Sequence, residues 1–217
     1  MMMADHVRRA LAAAHREDNP YPHWILRDVL PLQTGKALAE LPLTPPAPGD
    51  IQGRRETIND KRIFASEENR ARFPVLDDLA RSFQEQATVA ALEAQCGCSL
   101  EGGFLRIEYC LDTDGFWLEP HTDIGAKMFT MLVYLSEHPD AEHWGTDIFD
   151  AHGKLVKRAS GAFNTGLIFI PAANTWHGFE HRPIRGIRRT LIINYVRPES
   201  RSRHELAFPS EPVRWGT

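Results

Sequence analysis

Residues 166–196 read GLIFIPAANTWHGFEHRPIRGIRRTLIINYV, which is two apolar runs separated by an irregular segment rich in Pro, His and Arg. The runs Leu167–Ile170 and Leu191–Val196 have the length of single strands, and turn-forming residues lie between them. Similar short runs recur earlier in the chain, at Phe104–Cys110, Met128–Leu135, Thr146–Phe149, Leu155–Val156 and Gly161–Phe163. This spacing is typical of an antiparallel sandwich or barrel, so we expect an all-β half from about residue 100 onward.

The first hundred residues have a helical character instead. Residues 67–95 carry apolar side chains at steps of three and four, which predicts a helix, interrupted near Pro74 and ended by Gly97. Shorter helices are expected over residues 5–16 and roughly over residues 26–41.

These patterns divide the chain into three parts of one structural domain. A helical N-terminal part, 1–99, is expected to pack on the core and to contain a Pro-rich loop near 42–53. A β core occupies 100–198, and 199–217 form a C-terminal tail. Helices followed by strands predict an α+β or mainly β fold, in which the helices cover one sheet of a sandwich.

Composition excludes several classes of protein. The 217 residues are 42% apolar and 25% charged, with a net charge of −4, which favours one globular domain and argues against nucleic acid as a partner. No run approaches the ~18 apolar residues of a membrane span. The three Cys make neither a disulfide framework nor a four-ligand zinc site, so we expect a cytoplasmic protein.

Two His-x-Asp pairs stand out among the ten His. His138-Pro139-Asp140 has the composition of a solvated turn. His121 and Asp123 are two positions apart in an extended segment, so both side chains can reach one metal ion. His177, 54 residues after Asp123, is the candidate third ligand. Two His and one carboxylate suit non-haem Fe(II), although zinc also accepts such ligands.

A candidate carboxylate-binding pair follows eleven residues after His177. Arg188 and Thr190 share one face of the last strand, where a guanidinium fork and a hydroxyl can hold one carboxylate. The alternative is that Arg188 and its neighbour Arg189 are solvated charges on an edge strand.

Together these residues resemble a known family, the 2-oxoglutarate and Fe(II)-dependent dioxygenases of the prolyl-hydroxylase-like group. That family carries His-x-Asp, a distal His, and an Arg or Lys about ten residues later. The resemblance covers about residues 100–197, in five motifs of the right order: Glu119–Asp123 after Arg106–Tyr109, Met131–Ser136, His143–Ile148, Asn164–Pro171 with Trp176–Gly178, and Gly186–Arg188.

The resemblance implies a double-stranded β-helix, or jelly roll, of eight core strands, buttressed by the helices of residues 67–95. It implies that His121, Asp123 and His177 bind Fe(II), and that 2-oxoglutarate and O2 are cosubstrates. The reaction would oxidise a second substrate, usually by hydroxylation, with release of succinate and CO2. Arg188 and Thr190 would hold the distal carboxylate of 2-oxoglutarate, and Tyr134 and Tyr109 are further candidates for the cosubstrate site.

Within the strand Met128–Leu135, the resemblance places Thr130, Leu132 and Tyr134 toward the cavity. It places the alternate residues toward the helices, namely Phe129, Met131, Val133 and Leu135.

Some points remain open in the sequence. The interval from His177 to Arg188 is one residue longer than usual, so Arg189 competes with Arg188 for the cosubstrate. We expect Lys127 to be solvated, and the role of the Arg-rich segment 182–203 is undefined. A cupin-like metal enzyme that does not use 2-oxoglutarate, or a jelly-roll binding domain without catalysis, are the alternatives. The sequence does not define the oligomeric state or the substrate, which is a small molecule or a protein side chain.

Overall fold

The structure is a computed structural model of the chain, and it describes residues 2–45, 53, 62–123, 125–199 and 202–214. Its strands form two antiparallel sheets, one of seven strands and one of four. The α-helices within those residues are α1 (Met3–Ala12), α2 (Leu32–Ala39), α3 (Glu67–Arg72), α4 (Pro74–Gln84) and α5 (Gln86–Cys96). The strands are β1 (His15–Glu17), β2 (His23–Leu26), β3 (Ile63–Phe64), β4 (Phe104–Asp112), β5 (Leu118–His121), β6 (Lys127–Tyr134), β7 (Asp147–Phe149), β8 (Leu155–Arg158), β9 (Thr165–Phe169), β10 (His177–Phe179) and β11 (Arg188–Val196).

The sheet orders define a jelly roll. The large sheet runs β1-β2-β9-β6-β11-β4-β3 and the small sheet runs β5-β10-β7-β8. Strands β9, β6, β11 and β4 of the large sheet and the four strands of the small sheet make the eight core strands of a double-stranded β-helix. The fold class that the sequence predicts, a jelly roll buttressed by N-terminal helices, is confirmed.

The helices cover the outer face of the large sheet. Leu76, Leu79 and Phe83 of α4 belong to the same buried apolar cluster as Ile107 of β4 and Ile193 of β11. The residues of β6 alternate between the two faces as expected. Thr130 and Leu132 line the inter-sheet cavity. The alternate residues, with Leu135 just after the strand, belong to the apolar cluster on the helix side: Phe129, Met131, Val133 and Leu135. No helix within the described ranges is both long and apolar enough to cross a bilayer.

The helical region 67–95 is divided into three helices. Ser66 caps α3, and α4 begins at Pro74, whose ring suits the first turn of a helix. Gly97 ends α5 with φ 65°, a left-handed conformation that glycine adopts without strain.

Other local expectations were wrong. The helix expected over 26–41 is shorter, because β2 precedes it and Pro31 is its N-cap. Gly161–Phe163 forms a turn rather than a strand, and the chain reverses at Asn164, whose φ is 62°. The N-terminal part is not wholly helical either, since it contributes β1, β2 and β3 to the large sheet.

The C-terminal tail packs against the core along β4. A short 3-10 helix, Arg203–Glu205, leads to Leu206, which forms an isolated bridge with Arg106. The next residue, Ala207, donates its backbone N–H to Leu105 O and is fully buried.

Candidate metal centre and cavity

A cavity with a volume of about 50 Å³ lies between the two sheets. Its walls are apolar in part, with Phe116, Leu132 and Phe179 among them. Six ionisable side chains also line it: Arg62, His121, Asp123, Lys127, His177 and Arg188. An enclosed pocket with converging polar groups is the expected form of a binding or catalytic site.

Strand pairing brings three candidate ligands together. His121 ends β5 and His177 begins β10, and the two residues are direct partners in the antiparallel register. Their ring centroids are 4.4 Å apart. Asp123 follows two residues after His121, and its Oδ1 lies 4.0 Å from His177 Nε2. One ligand atom from each of the three residues lies within 4.8 Å of the others, close enough to share one metal ion.

Backbone carbonyls orient both imidazole rings. His121 Nδ1 lies 2.9 Å from Glu119 O, and His177 Nδ1 lies 2.9 Å from Thr175 O. A carbonyl accepts only, so Nδ1 is the protonated nitrogen in each ring, and the lone pair is on Nε2. This tautomer is the one a metal requires when Nε2 is the ligand.

The Asp123 carboxylate is held from both oxygens. Lys127 Nζ donates to Oδ1 at 2.6 Å, and Thr130 Oγ1 donates to Oδ2 at 2.8 Å. The expectation that Lys127 is solvated was wrong, since only 4% of the residue is exposed. Because the Asp123 side chain is itself fully buried, it requires a nearby positive charge, and Lys127 supplies one.

Burial also controls the charge of His177. The low-polarity surroundings lower the pKa of His177 to about 3, and the neighbouring His121 acts in the same direction, although the Asp123 carboxylate opposes it. His177 is therefore a neutral imidazole at pH 7, the form that binds a metal.

Arg188 lines the cavity, whereas Arg189, with the next side chain along β11, does not. Arg188 is already bonded within the protein. Its Nη1 donates to Asp112 Oδ2 at 2.5 Å, and its Nε donates to the carbonyl of Trp144 at 2.6 Å. Asp112 is its cross-strand partner on β4, so sheet register creates this ion pair.

Thr190 also lines the cavity and is fully buried. Its Oγ1 has no hydrogen-bond partner among the residues that the structure describes. A buried hydroxyl without a partner is costly, so its presence here is consistent with a ligand group that completes the bond.

The two candidate Tyr residues occupy different places. Tyr134 is buried on the cavity side of β6, and its hydroxyl donates to Oγ1 of Thr146, a cavity-lining residue, at 2.8 Å. Tyr109 belongs to the helix-side cluster, and its hydroxyl donates to Leu38 O at 2.7 Å. The structure therefore brings Tyr134 next to the cavity wall and does not bring Tyr109 to the cavity.

Sequence reasoning missed Arg62 and Asp112. Asp112 had a signal, because β4 alternates polar residues with apolar ones from Arg106 to Asp112, which marks a polar inner face. Arg62 had none, since it follows a run of charged residues in the sequence and immediately precedes a two-residue strand.

Comparison with known proteins agrees with the fold. No family model matches the sequence, and no curated protein matches it. A prolyl-4-hydroxylase from Pseudomonas putida superposes with a TM-score of 0.55 at 17% identity, covering 90% of this chain and 94% of that one. A prolyl hydroxylase from Trichoplax adhaerens, solved with a hypoxia-inducible-factor peptide fragment, gives 0.60 at 14% identity, covering 92% and 91%. A prolyl 4-hydroxylase from Phytophthora capsici gives 0.59 at 13% identity, covering 91% of this chain and 65% of that one.

At these identities the comparison establishes the fold. The chain shares the architecture of these prolyl hydroxylases.

Proposed function

We propose that this chain is a non-haem Fe(II)- and 2-oxoglutarate-dependent dioxygenase. It would hydroxylate or otherwise oxidise a second substrate, with release of succinate and CO2. The observation that carries the proposal is the convergence of His121, Asp123 and His177 at one end of the inter-sheet cavity. Two imidazoles and one carboxylate form the facial ligand set that suits Fe(II) and leaves coordination positions for other ligands.

The chain's own residues prepare that site. Glu119 O and Thr175 O hold the two rings in the ligand tautomer, and Lys127 and Thr130 hold the Asp123 carboxylate in place. When bound, iron and the 2-oxo acid supply the activation of O2, which protein side chains cannot perform. The protein contributes orientation and a cavity that excludes most water.

The charges of the cavity favour a dianionic cosubstrate. Lys127 balances Asp123, Asp112 balances Arg188, and Glu108 lies beside Arg62. A divalent ion would therefore add two uncompensated positive charges, which the two carboxylates of 2-oxoglutarate neutralise. The 2-oxo end would chelate the metal, and the distal carboxylate would meet the basic and hydroxyl groups of the cavity, Arg188 and Thr190 among them.

The test is an anaerobic titration of metal-free protein with Fe(II) and then with 2-oxoglutarate. A visible charge-transfer band signals a chelated 2-oxo acid. The wild type is expected to show the band, and His121→Ala is expected to lose it. His138→Ala is the matched control, because it removes the His of the other His-x-Asp pair, which is the N-cap of a 3-10 helix and does not line the cavity.

Other results would contradict the proposal. Stoichiometric metal without a band would favour a cupin-like enzyme that does not use 2-oxoglutarate. No metal at all would favour a jelly-roll binding domain without catalysis.

The second substrate is a small molecule or a protein side chain. The prolyl hydroxylase that was solved with a peptide fragment supports the second class. We further propose a cytoplasmic protein with neither nucleic acid nor membrane as a partner, in keeping with its acidic balance.

A further inference from the structure

Two guanidinium groups line the cavity, and their bonding differs. Arg188 has a full carboxylate partner in Asp112 at 2.5 Å, and its Nε is bonded to Trp144 O. A ligand carboxylate that approached Arg188 would also approach Asp112, so like-charge repulsion would offset part of the attraction.

Arg62 has the weaker partners. Its side chain is only 5% exposed, and its Nε makes no hydrogen bond with any described residue. The acid beside it is Glu108, whose Oε2 lies 3.6 Å from that Nε. Glu108 is shared, because its other oxygen accepts a hydrogen bond from Arg106. Arg106 also donates to Glu205 at 3.0 Å, so Glu108 remains the nearby acid of Arg62, but at 3.6 Å it does not form a hydrogen bond with Arg62 Nε.

The thiol of Cys110 accepts a hydrogen bond from Arg62 Nη1 but brings no negative charge. Burial raises the pKa of the Cys110 thiol to about 12, although the positive charge of Arg62 acts against the shift, so the group is neutral at pH 7. The Arg62 side chain reaches Cys110 on β4 and lines the cavity.

Sheet register places Thr190 on the opposite side of Cys110 from Arg62. Ile63 pairs with Tyr109, so the preceding residue Arg62 lies beside Cys110. Cys110 pairs in turn with Thr190. Arg62 and Thr190 thus flank one short side chain on the cavity face. Arg62 Nε and Thr190 Oγ1 are buried polar atoms that lack a hydrogen-bond partner within the described part of the chain.

We propose that Arg62 and Thr190 bind the distal carboxylate of the cosubstrate, and that the Arg188–Asp112 pair forms the charged wall beside it. The proposal rests on the function proposed above and departs from the role that the family resemblance gives to Arg188. A guanidinium donates to one carboxylate oxygen and the Thr190 hydroxyl to the other, which completes the bonds of both buried groups. Recognition of the cosubstrate would then depend on a residue outside the core strands.

The experiment compares two 2-oxo acids of equal length. Anaerobic Fe(II)-loaded protein is titrated with 2-oxoglutarate and with 2-oxopentanoate, in which a methyl group replaces the distal carboxylate. The charge-transfer band reports both dissociation constants. Arg62→Gln is expected to reduce the preference for 2-oxoglutarate by about 10- to 100-fold, the loss expected for charge-assisted hydrogen bonds, and to leave 2-oxopentanoate binding unchanged. Arg189→Gln, which alters a residue outside the cavity, is the control and is expected to keep the wild-type preference.

Thr190→Val guards against a misfolded Arg62 variant. It replaces a buried, unbonded hydroxyl by a methyl group of similar shape, so resistance to urea should be equal or higher. The preference for 2-oxoglutarate should still fall, by about 3- to 10-fold. An unchanged preference in Arg62→Gln, together with its loss in Arg188→Gln, would overturn the inference and leave the proposed function intact. No band for either acid in the wild type would overturn both.

Discussion

The two faces of the large sheet differ in character although the same strands form both. On the helix side β11 presents Leu191, Ile193 and Tyr195, all fully buried among apolar neighbours. On the cavity side the alternate residues are polar in part, with Arg188 and Thr190 lining the pocket. One nine-residue strand therefore contributes both to the main core and to the candidate site.

The helix side of the sheet contributes mainly to folding stability, and the cavity side carries the groups of the candidate site. Apolar burial on the helix side favours folding roughly in proportion to the area removed from water. The cavity side buries charges, whose desolvation opposes folding unless each has a partner. The comparison predicts that substitutions on one face change mainly stability, while those on the other change mainly binding or the response to ligands.

The largest effect is expected for Lys127→Met. The variant leaves the buried Asp123 carboxylate without its ammonium partner, which costs about 3–5 kcal/mol when no metal is present. A divalent metal would compensate the carboxylate, so the stabilisation on adding Mn2+ should exceed that of the wild type. Urea unfolding with and without Mn2+ measures both quantities.

Lys157→Met is the matched control for that variant. Lys157 pairs with Glu17 at the surface, with about a third of each side chain exposed, so its loss should cost about 0–1 kcal/mol. Equal losses in the two variants would contradict the assignment of a buried pair at Asp123.

The next largest loss of stability is expected for a substitution on the helix side, Ile193→Ala. Removing a fully buried isoleucine side chain leaves a cavity in the main core and costs about 2–5 kcal/mol. Its neighbour Ile192 lines the cavity and is partly exposed, so Ile192→Ala should cost less. Chemical denaturation tests the order, and the folded fraction of Ile193→Ala should still bind metal. The reverse order would break the division between the two faces.

Acid should weaken the metal-free protein through His177. Its pKa falls from 6.5 in the unfolded chain to about 3 in the fold, so the unfolded state binds more protons between these values. The contribution of His177 to the free energy of unfolding is therefore fully present above about pH 6.5. It is lost as pH falls toward 3, at about 1.4 kcal/mol per pH unit. His177→Gln, compared with the wild type in chelator-treated samples from pH 7 to pH 4, should lack this contribution. Parallel stability curves would show that His177 does not titrate in this way.

The smallest effect is expected outside both faces, for Ser66→Ala. The Ser66 hydroxyl accepts the Asn69 N–H at 3.4 Å and caps the six-residue helix α3. Its loss should cost about 0.5–1 kcal/mol, at the low end for an N-cap because the bond is long. Thermal unfolding measures this shift, while metal and 2-oxo acid binding should stay at wild-type values.

The sequence was sufficient to predict that three candidate metal ligands come together. His121 and Asp123 share a strand face by their spacing, and His177 follows a distant apolar run. The structure brings these three within reach of one ion. Helical periodicity likewise predicted α4, which carries an apolar stripe. In α5 the buried residues are Thr88, Val89 and Leu92, so no regular apolar stripe marks this helix.

Non-local features were not predictable from one sequence. Arg188 is paired because the register of β4 and β11 sets Asp112 opposite it. Lys127 and Asp123 are only four residues apart, but their burial depends on the packing of the two sheets around the cavity. Arg62 enters the cavity only through the pairing of a two-residue strand, which is too short to show any periodicity. Tyr109 differs for another reason: strand alternation directs it toward the helices, whatever the family motif implies.

The short N-terminal strands have a consequence for how the protein behaves in concentrated solution. Strand β2 covers the outer edge of β9, and β3 covers part of the outer edge of β4. An uncovered edge of a hydrophobic sheet offers its backbone groups to any other chain and so promotes aggregation. The segment from His23 to Leu26 therefore shields the jelly roll from self-association, a role independent of any reaction in the cavity.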